Sequence, residues 1–151
     1  MNNVSQSSES TVAIRYVRDK RITPIQFCDL LQRSGLDARR PVDNPVTIAA
    51  MLEHADLSVT AWRDEVLVGV ARSLTDFHYC CYLSDLAVDR ALQRQGVGRQ
   101  LVAETRSALG PGCMLLLLSA PAAVDYYPHT GFERHPQAWL IRDAGTERPT
   151  R

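Results

Sequence analysis

Apolar residues recur along this chain at two spacings, and the change from one to the other predicts its secondary structure. Helical spacing marks four segments, and alternating or continuous apolar runs mark at least six strands. The predicted helices begin at Thr23-Pro24 and Asn44-Pro45 and span Gly98–Leu109 and Pro121–Tyr127. The predicted strands are Val12–Val17, Leu57–Trp62, Val66–Leu74, Tyr79–Val88, Cys113–Ser119 and one or two within Phe132–Ile141.

The order of these elements, β-α-α-β-β-β-α-β-α-β, predicts the fold class. A hairpin region followed by a β-α-β unit favours an α/β (mixed α+β) fold, with a central mixed, mostly antiparallel sheet flanked by helices. At 151 residues the chain has the usual length of one domain, which we expect over residues 12–142. The polar residues 1–11 are predicted to be disordered, and residues 143–151 a loose tail.

Charge and hydropathy exclude several classes of protein. The chain has 17 basic and 17 acidic side chains, which disfavours a nucleic-acid binder. Its longest apolar run, Cys113–Leu118, is too short to cross a membrane. The polar N-terminus lacks the layout of a secretory signal, so we expect a cytoplasmic protein.

The cysteines do not indicate a metal site. None belongs to a C-x-x-C pair, and no histidine stands at zinc-finger spacing from them. We therefore expect reduced, buried thiols and no metal. These cysteines are Cys28, Cys80, Cys81 and Cys113.

The third strand of the hairpin region carries an irregular apolar pattern. Cys81, Leu83, Leu86 and Val88 are separated by two, three and two positions. A spacing of three within an alternating strand is what one bulged residue produces. The bulge is expected to splay this strand from its neighbour, and the backbone groups left unpaired could bind an extended ligand that contains amides.

A glycine-containing loop, Gln93–Gly98, leads into the third helix. Gly96 and Gly98 lack Cβ, so the backbone can curl and approach a ligand closely. Amide groups at a helix N-terminus favour anions, and Arg94 and Arg99 add positive charge. The loop lacks both the Lys-Ser/Thr of a Walker loop and the three glycines of a Rossmann turn.

Two motifs together resemble the GNAT superfamily of N-acetyltransferases. The first, Gln93–Gly98, matches the superfamily's Gln/Arg-x-x-Gly-x-Gly/Ala motif for acetyl-CoA. The second is an Ala-x-x-x-Tyr-x-x-x-Gly-Phe segment, matched by Ala123, Tyr127 and Gly131-Phe132. The resemblance covers residues 12–142 and implies an acyltransferase that uses acetyl-CoA and no metal.

The resemblance also implies roles for individual residues. Tyr127 would stand near the thioester sulfur as general acid, and backbone groups of the bulged strand and the glycine loop would hold the cofactor. Asp85, on the bulged strand, is the candidate base, acting through water. The implied cofactor-binding residues are Leu86, Ala87, Val88, Gln93, Arg94, Gln95, Gly96, Val97, Gly98, Arg99, Ser119 and Tyr127.

The chain departs from the superfamily pattern at two positions. Ala120 stands where many members have Asn, so a polar contact to the cofactor is either missing or moved to Ser119. Pro128 follows Tyr127 directly and disfavours the α conformation at the tyrosine, which would displace its phenol.

Structural alternatives stay open for each candidate. Tyr127 can instead be a packed tyrosine with a hydrogen-bonded hydroxyl. Asp85 can simply pair with an arginine at a strand end. Arg39, Arg40 and Arg90 are either solvated surface residues or contacts to the 3′-phosphate of the cofactor.

The expected function is acetyl transfer to a primary amine of a small molecule or a peptide. The alternative is a protein that binds acetyl-CoA as a sensor or regulatory module without turnover. Neither a nucleic acid nor a membrane is expected as partner. A homodimer formed through an outer strand at Ala138–Ile141 is a further hypothesis.

Overall fold

The computed structural model describes residues 13–143. The chain forms two compact units, one extending to Leu118 and the other beginning at Ser119. The first unit contains the sheet and its helices, and the second contains short turns.

The first unit is a five-stranded sheet with three α-helices. Its strands run in the order β1-β2-β3-β4-β5; the first three pairings are antiparallel and the last is parallel. This confirms the predicted mixed, mostly antiparallel sheet. The elements are β1 (Arg15–Arg18), α1 (Pro24–Ser34), α2 (Pro45–Glu53), β2 (Leu57–Arg63), β3 (Val66–Thr75), β4 (Cys80–Val88), α3 (Val97–Ser107) and β5 (Met114–Leu116). Two 3-10 turns, Leu36–Arg39 and Arg90–Leu92, follow α1 and β4.

The start and stop of α1 follow from a few local residues. The Thr23 hydroxyl accepts a hydrogen bond from the Gln26 amide at 3.1 Å, and the Gln26 side chain accepts one from the Thr23 amide at 2.9 Å. Gly35 ends the helix with a φ of 82°, a left-handed conformation that costs glycine little. The predicted capping box and glycine stop are therefore confirmed.

One cluster of the core lies between the sheet and the first two helices. Phe27, Leu30 and Leu31 of α1 are fully buried there, as their spacing predicts. They pack in one cluster with Ile48 of α2 and Trp62 of β2. The cluster also includes the Ala87 side chain of β4, the strand that carries the candidate site, so α1 supports that strand directly.

The predicted strand Cys113–Ser119 is shorter and more exposed than expected. Only Met114–Leu116 pairs with β4, and the Met114 and Leu116 side chains are 49% and 38% exposed. The expectation of burial on both faces is therefore wrong. Within residues 13–143 the strand is also hydrogen-bonded along only one edge.

The second unit lacks the regular elements predicted for it. In place of the helix Pro121–Tyr127 it has two 3-10 turns, Pro121–Ala123 and Tyr127–Thr130, and no strand is formed in its described residues, 119–143. A helix of seven residues is marginal without packing, and Pro128 removes a donor from any continuation. The segment proposed for dimerisation, Ala138–Ile141, is thus not a strand, and its Trp139 and Ile141 are 95% and 98% exposed.

The four thiols are free, and Cys81 is the buried one, whereas the other three are partly exposed. Burial raises the pKa of the Cys81 thiol. Within residues 13–143, no three His, Cys, Asp or Glu side chains are grouped as metal ligands. Over the same residues, no helix has the length and apolar character that crossing a membrane requires.

Candidate active site

The predicted bulge lies in the middle of β4. Arg72 of β3 pairs with Asp85, whereas the next residue, Ser73, pairs with Leu83. Ser84 is therefore the extra residue of the bulged strand. Arg72 donates hydrogen bonds to both the Ser84 hydroxyl and the Asp85 carboxylate, so these two adjacent side chains are reached from one side of the strand. This confirms the shift in alternation that the apolar spacing indicated.

Beyond the bulge, β4 leaves its parallel neighbour. The pairing with β5 covers Cys80–Tyr82 only, although β4 continues to Val88. The Asp89 amide donates to the Val68 carbonyl of β3 at 2.9 Å, which fixes the direction of the alternating backbone groups. Backbone groups of Leu86 and Val88 consequently point to the open edge.

Ala87 has a different environment from its neighbours. Its side chain is buried in the core cluster with α1, and by the same alternation its backbone faces β3. Among the three β4 residues predicted to bind the cofactor, Leu86 and Val88 therefore have the exposed backbone edge.

The loop before α3 turns through two left-handed residues. Arg94 has a φ of 62° and Gly96, the N-cap of α3, a φ of 86°. No side chain caps the helix at Gly96. In any α-helix the amides of the first turn are left outside the ladder of helical hydrogen bonds. A curled backbone that leads into an uncapped helix N-terminus fits a pyrophosphate.

Gln93 ties the beginning of this loop to two other elements. Its side-chain Nε2 donates to the carbonyl of Val88 at 2.9 Å and to the carbonyl of Ser34 at 3.3 Å. The side chain thus links the end of β4 to the end of α1. The neighbouring Gln95 side chain donates to the Ala91 carbonyl at 3.1 Å, in the 3-10 turn that precedes the loop.

An ion pair holds the same region from the core side. Asp89 accepts a hydrogen bond from the Ala91 amide at 2.9 Å and pairs with Arg33 of α1, which also donates to the Leu67 carbonyl at 2.7 Å. Burial by itself would raise the pKa of Asp89, but the hydrogen bonds from Ala91 and Arg33 outweigh it and lower that pKa. The carboxylate is therefore held ionised at the start of the loop.

The Asp85 carboxylate is 0% exposed and lies between two guanidinium groups. One oxygen accepts a hydrogen bond from Nε of Arg40, and the other from Nε of Arg72. Asp85 is thus paired with arginines, as in the structural alternative to its role as a base. Sequence patterns did not identify Arg72 or Arg40 as its partners, although a charged residue inside the apolar strand β3 is itself a signal that a buried counter-ion is near.

The remaining predicted residues belong to the second unit. Tyr127 is half-buried and begins the second 3-10 turn, with its ring edge-to-face against Tyr126 and Phe132 at centroid distances of 5.3 and 5.6 Å. Its carbonyl accepts a hydrogen bond from the Thr130 hydroxyl at 2.8 Å. Ser119 lies in the irregular stretch before the first turn. Tyr127 thus has defined packing within its own unit.

Comparison with protein families gives one match. The family model described as an acetyltransferase (GNAT) domain matches residues 42–143, about two thirds of the chain. No curated protein is significantly similar to the chain in sequence.

Several solved structures share the fold. A probable acetyltransferase from Staphylococcus aureus has a TM-score of 0.71 at 18% identity, over 87% of this chain and 98% of that one. A GNAT family protein from Streptococcus pneumoniae has a TM-score of 0.68 at 22% identity, over 87% and 100%. An aminoglycoside N-acetyltransferase in complex with CoA has a TM-score of 0.66 at 20% identity, over 87% and 95%.

Proposed function

Because this chain belongs to the GNAT acetyltransferase family, we propose that it transfers the acetyl group of acetyl-CoA to a primary amine. The observation that carries the proposal is a juxtaposition of two features. The open edge of β4 leads, through the 3-10 turn Arg90–Leu92, into a left-handed loop and the uncapped N-terminus of α3. Together they present backbone groups suited to an amide-containing arm and to a diphosphate.

Backbone atoms provide most of the cofactor contacts in this proposal. The Leu86 and Val88 backbone would pair with the pantetheine arm, and the amides from Arg94 to Arg99 would hold the pyrophosphate. The Val88 carbonyl already accepts a hydrogen bond from Gln93, which leaves its amide for the ligand. Bound acetyl-CoA supplies an activated acyl carbon. The chain contributes mainly by holding the two reactants together.

Tyr127 would supply the proton that the departing sulfur needs. As a C–N bond forms to the acetyl carbon and the C–S bond breaks, the phenol donates its proton to sulfur and recovers one from solvent. Thiols have a pKa of about 8.5 and phenols of about 10, so proton transfer from the phenol to the thiolate is uphill by only about 1.5 pKa units. General acid help of this kind contributes about 10²–10⁴-fold to the rate.

Asp85 takes the role of a counter-ion in this mechanism. Both of its oxygens already accept hydrogen bonds from guanidinium groups, and its side chain is shielded from solvent. A side chain without access to solvent cannot take the amine proton through water. We therefore propose that the amine binds as the free base and that its proton leaves to solvent water.

For the acceptor, we propose a small amine. Solved proteins with this fold include aminoglycoside N-acetyltransferases, one of them in complex with sisomicin. That likeness supports small amines over peptide amines. The identity of the amine depends on residues outside the cofactor-binding motifs.

The test combines calorimetry with a turnover assay. CoA is titrated into the protein, and a panel of small amines and peptides is then incubated with acetyl-CoA while free thiol release is followed. Tyr127→Phe removes only the hydroxyl, so the ring can keep its contact with Phe132. Tyr126→Phe is the matched control on the neighbouring residue.

We expect Tyr127→Phe to bind CoA like the wild type and to lose about 10²–10⁴-fold in turnover, with Tyr126→Phe unchanged. CoA binding without turnover on any amine would favour the alternative of a sensor or regulatory module. If the protein gives no heat with CoA, both the acetyltransferase and the sensor or regulatory module are refuted.

A further inference from the structure

A buried cluster of three charged side chains stands at the bulge of β4. Asp85 is its centre, Arg72 approaches from the adjacent strand β3, and Arg40 approaches from the connection between α1 and α2. One carboxylate would be neutralised by one guanidinium. A second guanidinium leaves an excess positive charge, which carries a desolvation cost and is not needed for charge balance.

Arg40 also donates a hydrogen bond to the bulge itself. Its Nη2 donates to the carbonyl oxygen of Ser84 at 2.8 Å, and Ser84 is the extra residue of the bulge. The Ser84 hydroxyl accepts a hydrogen bond from Arg72 at 3.0 Å. A bulged residue is left outside the regular ladder, so these side chains take over its hydrogen bonding.

The two arginines differ in what else they contact. Arg72 is buried, and its Nη1 donates to the Met51 carbonyl of α2 at 3.0 Å, which makes it part of the core. Arg40 is partly exposed, and its Nη1 donates to the Arg39 carbonyl at 2.8 Å in its own connection. The bulge is thus held on one side by the core and on the other by the α1–α2 connection, residues 35–44.

We propose that Arg40 is a positioning residue that fixes the backbone of the β4 bulge from the α1–α2 connection and so sets the shape of the cofactor-binding edge. The link to the cofactor rests on the proposed function. Arg40 acts through Ser84 and Asp85, the two residues that directly precede Leu86. A displacement of residues 35–44 would therefore shift the β4 bulge through the Arg40 side chain.

The experiment compares Arg40→Ala and Arg40→Lys with Arg39→Ala, which removes the exposed neighbouring arginine. Amide hydrogen exchange at Ser84 and Asp85 reports on the bulge without any ligand. Calorimetry with CoA reports on the cofactor site. Thermal unfolding shows that each variant is folded; in Arg40→Ala, Asp85 keeps Arg72 as its counter-ion.

We expect Arg40→Ala to speed exchange at these amides about tenfold and to weaken CoA binding by a similar factor, because a hydrogen bond from a charged donor is lost. Arg40→Lys restores the charge, but a single ammonium lacks the rigid fork that reaches Asp85 and Ser84 together, so exchange stays fast. Arg39→Ala should match the wild type in amide exchange at the bulge.

Two results would overturn the role of Arg40: wild-type exchange at the bulge in Arg40→Ala, or full rescue by Arg40→Lys, which would indicate charge balance alone. Absence of CoA binding by the wild-type protein would instead reject the proposed function. In that case amide exchange by itself still decides whether Arg40 holds the bulge.

Discussion

The side-chain amide of Gln93 and the backbone carbonyl of Val88 are joined by a hydrogen bond of 2.9 Å. This contact connects the last residue of β4 to the first residue of the glycine loop. The same amide also reaches the Ser34 carbonyl at the end of α1. The first position of the loop motif is therefore used here to hold the loop between a strand and a helix.

Replacing Gln93 by Ala is expected to weaken CoA binding about fivefold to tenfold, the effect of losing about 1 kcal/mol of hydrogen bonding that positions the loop. Calorimetry with CoA measures the change. Gln100→Ala is the control, because the exposed Gln100 side chain bonds Glu104 within α3, one turn into the helix. Equal affinities for the two variants would contradict the positioning role of Gln93.

Gly96→Ala should impair both stability and cofactor binding. Gly96 has a φ of 86°, where a Cβ costs about 1–2 kcal/mol although no atom lies within 4 Å of its position. Gly112 has a φ of 87° and equally open surroundings, but it lies before β5. Gly112→Ala is therefore expected to lose similar stability in urea unfolding and to bind CoA normally. If both variants bound CoA alike, the glycine loop would not be the diphosphate site.

Asp85→Ala should destabilise the fold by about 3–5 kcal/mol, because it leaves two guanidinium groups at a buried site without their shared carboxylate. Denaturant unfolding measures this loss, with the exposed Asp43→Ala as control. If Asp85 were instead a general base, Asp85→Ala would lower turnover while the free energy of unfolding stayed near the wild-type value. That result would return Asp85 to the catalytic role.

We expect the stability of the folded protein to depend on pH through Asp89. Its pKa is lowered in the folded protein, so the unfolded chain takes up a proton first as the pH falls below about 4. The stabilisation is present at neutral pH and is lost as the pH falls through the folded pKa. Asp89→Asn should cost about 1–3 kcal/mol at pH 7, and its difference from wild type should shrink towards pH 3.

Urea unfolding at pH 7, 5 and 3 tests this expectation. Asp29→Asn is the control, since Asp29 pairs with the same Arg33 from an exposed position on α1. A constant difference between wild type and Asp89→Asn at all three pH values would contradict the assignment.

Local features of the molecule were predictable from the sequence because they depend on residues close together in the chain. The capping box at Thr23, the glycine stop at Gly35 and the bulge at Ser84 each follow from a pattern a few residues long. The order and mixed pairing of the first eight elements follow in turn from such patterns. The second unit was mispredicted because its apolar residues, such as Trp139, are exposed and its prolines interrupt regular hydrogen bonding.

The surroundings of the candidate site were decided only by the tertiary structure. Arg40 and Asp85 are 45 residues apart, and Gln93 and Ser34 are 59 apart, so no local pattern records either contact. Sequence alone placed a carboxylate on the bulged strand and a glutamine at the head of the loop. What each does depends on its neighbours in space, because a charge or an amide takes its role from the partners that burial brings within hydrogen-bonding distance.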